Sequence, residues 1–352
     1  MSNRVAQWLI GTLIFFTLYI VLVVYPLARI ANLILPTADL TLPVLLVFGS
    51  PFLLRALTEW WPHRLSRALA RWSITLLGVG FIAFPLVALY ELVGIAAPID
   101  RSLGGWALLA ALLLICGYAC WNALTPRLRV VDVPIRAAKP GMTIAQVSDL
   151  HIGSLHPRQL ERVVRMLEAA HPDYVALTGD IIDYRDIPAE DLQPLARLTM
   201  PVVFVIGNHE RYVDVEDICD RLRGLGVQVL RNEVWQDDCV QFAGIDDAER
   251  KTQVAEQIPS LIPAADRTRV LLYHRPDGAE DAAAWGAQLM LCGHTHNGQI
   301  VPFNYLVRRF FPRIQGSHHV DGLMLHVSTG TGVWGPVLRL GSVSEVSILK
   351  FM

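Results

Sequence analysis

The sequence predicts an α/β domain preceded by helices that cross a membrane. Two observations predict it. The first third is a series of long uncharged runs, and the rest alternates short apolar runs with amphipathic stretches, several runs ending in Asp, Asn or His. The chain has 352 residues, 53% of them hydrophobic, and a mean hydropathy of +0.39. That is too apolar for an ordinary soluble enzyme.

Residues 5–28, 72–90 and 102–126 carry no charge. Each can cross a hydrocarbon core, which needs about 20 apolar residues. A fourth stretch, residues 40–54, is shorter, holds Pro43 and Pro51 and is bounded by Asp39 and Arg55. It either spans by drawing on residues 31–38 or re-enters the same face. We read it as spanning, since an even count suits the charge pattern. A removable leader is not expected, because the first run is long for one and shows no small-residue cleavage site.

Arg55, Arg64, Arg67 and Arg71 lie between the second and third runs, and Arg127, Arg129, Arg136 and Lys139 follow the last. Residues 91–101 hold only one arginine against two acids. Basic short loops stay on the cytoplasmic side. The expectation is a multi-pass inner-membrane protein with both ends inside and everything after Pro126 in the cytoplasm. Cys116 and Cys120 fall in a span, and Cys219, Cys239 and Cys292 form no CxxC pair; free thiols fit a reducing compartment. A net charge of -2 offers no global field for nucleic acid, which is not an expected partner.

The chain therefore divides into a membrane region, 1–126, a basic Pro-containing link, 127–141, and a soluble domain, 142–352. Strands are expected at 143–148, 174–178, 201–206, 227–230, 240–244, 270–273, 289–292, 323–328 and 343–349. Helices are expected at 157–170, 189–197 and 215–225. The opening βαβαβ order argues for a parallel sheet covered by helices, and the strand-rich second half for a second sheet packed on it.

The apolar run ending at Leu177 delivers Thr178, Gly179 and Asp180 where an open α/β sheet places its ligands. Gly179 lets the backbone turn sharply. Four other strand ends supply metal-ligand types. The first gives Asp149 and His151, which the period-2 backbone sets on one side. The third gives Asn208, His209 and Glu210, the strand at 270–273 gives His274, and the next gives His294 and His296. A lone His or Asn at a strand end is usually a solvated or capping residue; five such ends at these spacings are not.

Asp149-x-His151, Gly179-Asp180-x-x-Asp183, Gly207-Asn208-His209-Glu210, His274 and Gly293-His294-x-His296 together resemble the calcineurin-like metallophosphoesterase superfamily, from about residue 144 onward. Further runs resemble its membrane-associated bacterial branch, which includes UDP-2,3-diacylglucosamine hydrolases. They are Gly244-Ile245-Asp246-Asp247, His274 with Pro276-Asp277, Asn297-Gly298-Gln299, Ser328-Thr329-Gly330-Thr331-Gly332 and Trp334-Gly335-Pro336. Arg275 and Asn297 depart from that branch, which bears on substrate preference and not on metal binding. The fold implied is a metallophosphoesterase-type αββα sandwich of two mixed sheets.

The resemblance implies two metal sites sharing Asp180, with Asp149, His151 and His296 in one and Asn208, His274 and His294 in the other. Mixed N and O donors suit Mn, Fe, Zn or Ni better than Mg or Ca, and Mn is favoured here. Such a pair holds a bridging hydroxide for in-line attack at phosphorus, while His209 protonates the leaving oxygen. Asp183 either orients one of these groups or is a plain turn carboxylate. Arg275 either meets a substrate phosphate or is a surface residue, and His318 and His319 read as loop residues.

Residues 303–313 mix aromatics with Arg308, Arg309 and Arg313 just after the metal-binding turn. They form either a lip on the bilayer surface or a helix packed on the domain. The expectation is a membrane-anchored dinuclear hydrolase of phosphoester or pyrophosphate bonds, acting on a lipid-linked substrate such as UDP-2,3-diacylglucosamine. The rivals are a broad phosphodiesterase merely tethered to the bilayer and a non-catalytic scaffold that only binds a ligand. A missing ligand or His209 would mark the scaffold, and none is missing. A transporter is disfavoured by the near absence of charge in the spans.

Overall fold

The computed structural model describes residues 2–352 except 62, 136 and 186, with side chains from residue 10 onward save that of 59. Arg136, counted in the basic link, lies outside the described residues. The chain forms two compact units. The first is Met1–Trp121 together with Gly335–Leu338, and the second is Asn122–Trp334 with Arg339–Met352.

The first unit is helical. Helix α1 (Ser2–Tyr19) runs through a π-helical turn (Ile20–Val24) into α2 (Tyr25–Ile34), followed by α3 (Thr41–Trp60), α4 (Arg64–Ala96) and α5 (Arg101–Leu124). Among the described residues, four segments are long and apolar enough to cross a membrane: Ile10–Ile34, Thr41–Thr58, Arg64–Ala96 and Arg101–Leu124. The proline-containing stretch at 40–54 lies within a continuous helix despite Pro51. Pro43 stands in the first turn, where a missing N–H costs nothing. Arg29 of α2 and Glu91 of α4 form an ion pair at 2.5 Å, so the charges near these helix ends neutralise each other.

The second unit contains β1 (Arg127–Val133), β2 (Thr143–Val147), α6 (Arg158–Ala170), β3 (Tyr174–Leu177), β4 (Val202–Phe204), α7 (Asn208–Tyr212), α8 (Val215–Gly224) and β5 (Gln228–Val229). Then follow β6 (Glu233–Gln236), β7 (Val240–Ile245), α9 (Gln253–Gln257), β8 (Thr268–Tyr273), α10 (Ala279–Trp285) and β9 (Leu289–Cys292). The chain finishes with α11 (Phe303–Phe310), β10 (Gly316–Val320), β11 (Leu323–Val327) and β12 (Glu345–Phe351). The strands make two six-stranded mixed sheets, ordered β1-β12-β2-β3-β4-β5 and β10-β11-β9-β8-β7-β6. In the first, only β12 and β2 run antiparallel; in the second, β10–β11 and β6–β7 do.

The layers follow from the side-chain pattern. Ile144, Ala176, Val203, Phe242, Val270 and Leu291 from the two sheets fill one core between them. The outer face of the first sheet packs on α6 and α8 through Leu160, Val164, Ile218 and Leu222. That of the second packs on α9 and α10 through Val254, Ala279 and Ala282. The strands are buried on both faces and therefore read as continuous apolar runs. The αββα sandwich expected from the resemblance is the fold.

Three local expectations need correction. The first half of the expected basic link is strand β1, whose arginines lie on an exposed edge strand paired only with β12. Residues 189–197 form two short 3₁₀ turns, because Pro188 precedes the first and Pro194, at the start of the second, suits a helix start but cannot continue a helix from the first. His318 and His319 lie in β10 and not in a loop; their alternation with Ser317 and Val320 is that of an edge strand with one solvated face.

Candidate metal centre

The candidate residues converge at the C-terminal ends of β2, β3, β4, β8 and β9. Two groups bring their donor atoms within 4.8 Å of one another: Asp149 with His151 and His296, and Asp180 with His274 and His294. His274 Nε2 lies 3.1 Å from Asp180 Oδ2 and 3.2 Å from His294 Nδ1. His296 Nε2 lies 3.3 Å from Asp149 Oδ1 and 3.1 Å from His151 Nε2. Asp183 joins His151 and His209 in a third such group, but its geometry is that of an acceptor. Its Oδ1 is 2.6 Å from His151 Nδ1 and 2.7 Å from His209 Nδ1. Asp183 thereby orients both rings, fixing which nitrogen each turns to the pocket.

The pleat does not bring Asp149 and His151 together. Strand β2 stops at Val147, and both residues have left-handed backbones, with φ of 55° and 51°. So do Asp180 (54°), His294 (70°) and His296 (47°). Each such residue costs about 1–3 kcal/mol and persists only where its surroundings over-determine it. Here backbone hydrogen bonds do so: Asp149 N–H to Gly179 O and His151 N–H to Asp180 O, both 3.0 Å, and Gly293 N–H to His274 O, 2.8 Å. Gly179 has φ +85°, and a Cβ there would lie 2.7 Å from both Gly207 N and His274 Nδ1. No side chain fits.

Charge in the pocket is balanced by protons. Burial alone would lower the imidazoles of His151 and His274. The carboxylates outweigh it, Asp183 foremost at His151 and Asp180 at His274, raising them to about 9 and about 10. In return, and against burial, His296 holds the carboxyl of Asp149 below its ordinary range, His274 that of Asp180, and His151 that of Asp183. Burial leads in lowering His296 to about 4 and His294 well below its usual value.

The residues fit divalent cations. Protonated histidines already supply the positive charge that a cation would replace, so binding would release protons. Asn208 Oδ1 is buried and accepts no hydrogen bond among the described residues, a lone pair left for a cation. His274 Nδ1 faces Thr178 O at 2.8 Å, so that nitrogen donates and Nε2 is the one left for a cation.

The profile of calcineurin-like phosphoesterases matches residues 142–298. An uncharacterized metallophosphoesterase of Aquifex aeolicus is 33% identical over 218 residues, covering 58% of this chain and 83% of that protein. The chain belongs to the calcineurin-like phosphoesterase family. Metallophosphoesterase Cj0846 of Campylobacter jejuni is 31% identical over 242 residues, covering 65% of this chain and 64% of that protein. A transmembrane protein with metallophosphoesterase domain from Bos taurus is 32% identical over 256 residues, covering 64% of this chain and 57% of that protein. The chain thus spans less than two thirds of the length of each of these last two. A dimetal phosphatase of Danio rerio, 13% identical with a TM-score of 0.35, covers 57% of this chain and 89% of its own. That likeness is too distant to speak to the chemistry here.

Two further residues of the pocket have roles that sequence reasoning did not assign: Glu210, seen only as part of a motif, and Arg339, not singled out at all. The fully buried Glu210 carboxylate accepts four backbone N–H groups: Gly207 and Ile181 at 2.7 Å, Asp180 at 2.9 Å and Ile182 at 3.1 Å. It shapes the turn that carries Asp180. The equally buried Arg339 donates to Thr329 O (2.7 Å), Gly332 O (2.7 Å) and His296 Nδ1 (3.0 Å). A guanidinium can only donate, so His296 Nδ1 accepts, and the proton of the neutral ring sits on Nε2, where a cation would take its place. The motif His209-Glu210 was a signal for the first; a lone Arg more than forty residues past His294 gave none for the second.

The other candidates separate. Arg275 is neither free nor on the surface: its Nε donates to the buried Asp247 at 2.6 Å, and Arg211 donates to the same carboxylate at 3.2 Å. Arg308 and Arg309 are exposed on α11, a helix with no buried residue. Phe311, just beyond it, meets the His294 ring edge-on at 5.2 Å, which sets this segment at the rim of the pocket.

Proposed function

We propose that the chain is a membrane-anchored, two-metal hydrolase of phosphoester or pyrophosphate bonds, acting on a lipid-linked substrate. The observation that carries this reading is the pair of donor groups around Asp149 and Asp180, with the unpartnered Asn208 Oδ1 beside them. Asp149, His151 and His296 would hold one cation, Asn208, His274 and His294 the other, and Asp180 both. Bound cations, Mn being the first to try, would supply Lewis acidity toward a phosphoryl oxygen and activate water.

His209 is 17% exposed through its side chain and is fixed at Nδ1 by Asp183, so its Nε2 can face the substrate. It would stabilise charge on the phosphoryl group and give a proton to the leaving oxygen. His209→Ala is expected to keep near-normal metal content while turnover falls by roughly 10²–10⁴, the usual worth of a positioned acid. Metal loss as large as that of an Asp180 variant would instead make His209 a ligand.

The lipid reading rests on α11. Tyr305 is 70% and Phe310 60% exposed, beside Arg308 and Arg309, a composition suited to acyl chains and head-group phosphates. Arg275, tied to Asp247, would act only by reorienting. UDP-2,3-diacylglucosamine is the first compound to test. kcat/KM for diacylated and deacylated forms of one head group is expected to differ well beyond threefold. It is also expected to fall on lipid substrate when Arg308 and Arg309 become Ala. A smaller difference, or intact lipid turnover in the double variant, would favour a tethered phosphodiesterase of broad range.

Residues 1–126 would be the anchor, 127–141 a connecting stretch and 142–352 the catalytic part, lying in the cytoplasm at the inner membrane. A reporter fused after Met352 should be active as a cytoplasmic reporter and silent as a periplasmic one; the opposite result would reverse the topology.

A further inference from the structure

The helical unit holds a charge problem that the reaction does not address. Arg67 on α4 is only 6% exposed, yet its Nη1 has no hydrogen-bond partner, and among the described residues it forms no ion pair. A buried guanidinium without a counter-charge is costly. Its setting makes matters worse. α4 starts at Arg64 with no acid in its first turn, so Arg67, one turn in, stands near the positive end of a helix dipole, where anions are favoured and cations are not. Arg55, Arg64 and Arg71 add charge of the same sign, and Glu59 is the only acid between Asp39 and Glu91.

We propose that the turn joining α3 and α4 binds the phosphate of an anionic phospholipid head group, with Arg67 as its anchor. The missing partner is an anion, and guanidinium pairs best with the planar or tetrahedral oxyanions it can grip with two N–H groups. The surroundings fix its source. Trp60 is 89%, Trp72 71% and Trp61 49% exposed, and indoles at such a turn sit at head-group level. α4 has 33 residues, about 50 Å at 1.5 Å per residue, against a hydrocarbon core of about 30 Å. The uncharged residues 72–90 fill that core, which leaves Arg64, Arg67 and Arg71 in the head-group layer. Basic pockets between spans in that layer hold lipid head groups. Arg55 and Arg64 are exposed and form the rim, while Arg67 lies beneath them.

The full chain in phosphatidylcholine nanodiscs tests this, with fluorescent phosphatidylglycerol as the probe and energy transfer from tryptophan as the readout. Phosphatidylglycerol is expected to bind at least tenfold more tightly than equally labelled phosphatidylcholine. Arg67→Gln is expected to remove most of that preference, and Arg67→Lys to keep part of it. Because a variant at a buried position can fail to fold, the exposed Arg55→Gln/Arg64→Gln pair is a second arm. It is expected to weaken binding about fivefold or more, from the worth of basic residues near anionic lipid. Equal affinity for the two lipids, or no change in either variant, would overturn the proposal. Displacement of the probe by low millimolar inorganic phosphate would assign the site to a soluble anion and overturn it as well. Turnover of a soluble aryl phosphodiester, measured in parallel, is expected to stay unchanged, since no residue of the metal centre is touched.

Discussion

Asp180→Asn is expected to abolish hydrolysis and to lower metal content at both sites. Asp180 is buried, its Oδ2 lies 3.1 Å from His274 Nε2, and its Oδ1 accepts the His209 N–H at 2.9 Å. Burial would favour the protonated acid, but His274, His209 and His151 outweigh it and hold the carboxyl below its ordinary range. The amide has nearly the same shape and could keep the His209 contact. What it loses is the negative charge that a shared ligand gives to two cations. Metal analysis and turnover on an aryl phosphodiester decide the matter; two tightly held metals with full activity would exclude a bridging role.

Glu210→Ala is expected to have the largest effect on stability. Truncation leaves four backbone N–H groups buried without acceptors, each worth about 1–3 kcal/mol. That sum reaches a large part of the 5–15 kcal/mol that keeps an ordinary domain folded. Denaturant unfolding of the purified chain should show a loss of several kcal/mol, or no folded phosphoesterase domain at all. Asp180→Asn, by contrast, leaves all four of these N–H groups bonded to Glu210 and should cost less, its loss being that of the buried charge facing His274. A Glu210→Ala protein within 1 kcal/mol of the parent would mean that water replaces the carboxylate, contrary to its complete burial.

These two residues mark what could be read from the sequence. Asp180 was legible because a β-branched run followed by Gly-Asp announces a strand that stops, and because four other runs stop in the same way. Glu210 was only a letter in a motif: its carboxylate turns inward to serve backbone groups, and backbone donors leave no trace in sequence. Arg339 was invisible for a related reason, since its partners are mostly carbonyl oxygens. The strands of the two sheet centres were legible from their apolar runs. Strand β1 was hidden by its arginines, and β10 by two histidines on an edge that need not be apolar. The way Asp149 and His151 meet was misread, because left-handed φ values at non-glycine residues are imposed by tertiary hydrogen bonds and not by local preference.

Strand β12 also sets the order in which the phosphoesterase domain can be made. It lies between β1 and β2, yet it leaves the ribosome after every other strand of its sheet. Until then β1 has no neighbour at all, and β2 shows a bare edge. Closing the sheet joins residues as far apart as Arg129 and Glu345, 216 positions along the chain, and such distant pairings form slowly. The nascent domain therefore waits with open strand edges, which invite pairing with other chains. Clipping a few residues from β12 would leave β1 unpaired and β2 bare in the finished protein too, so a strand made late is the one this sheet can least spare.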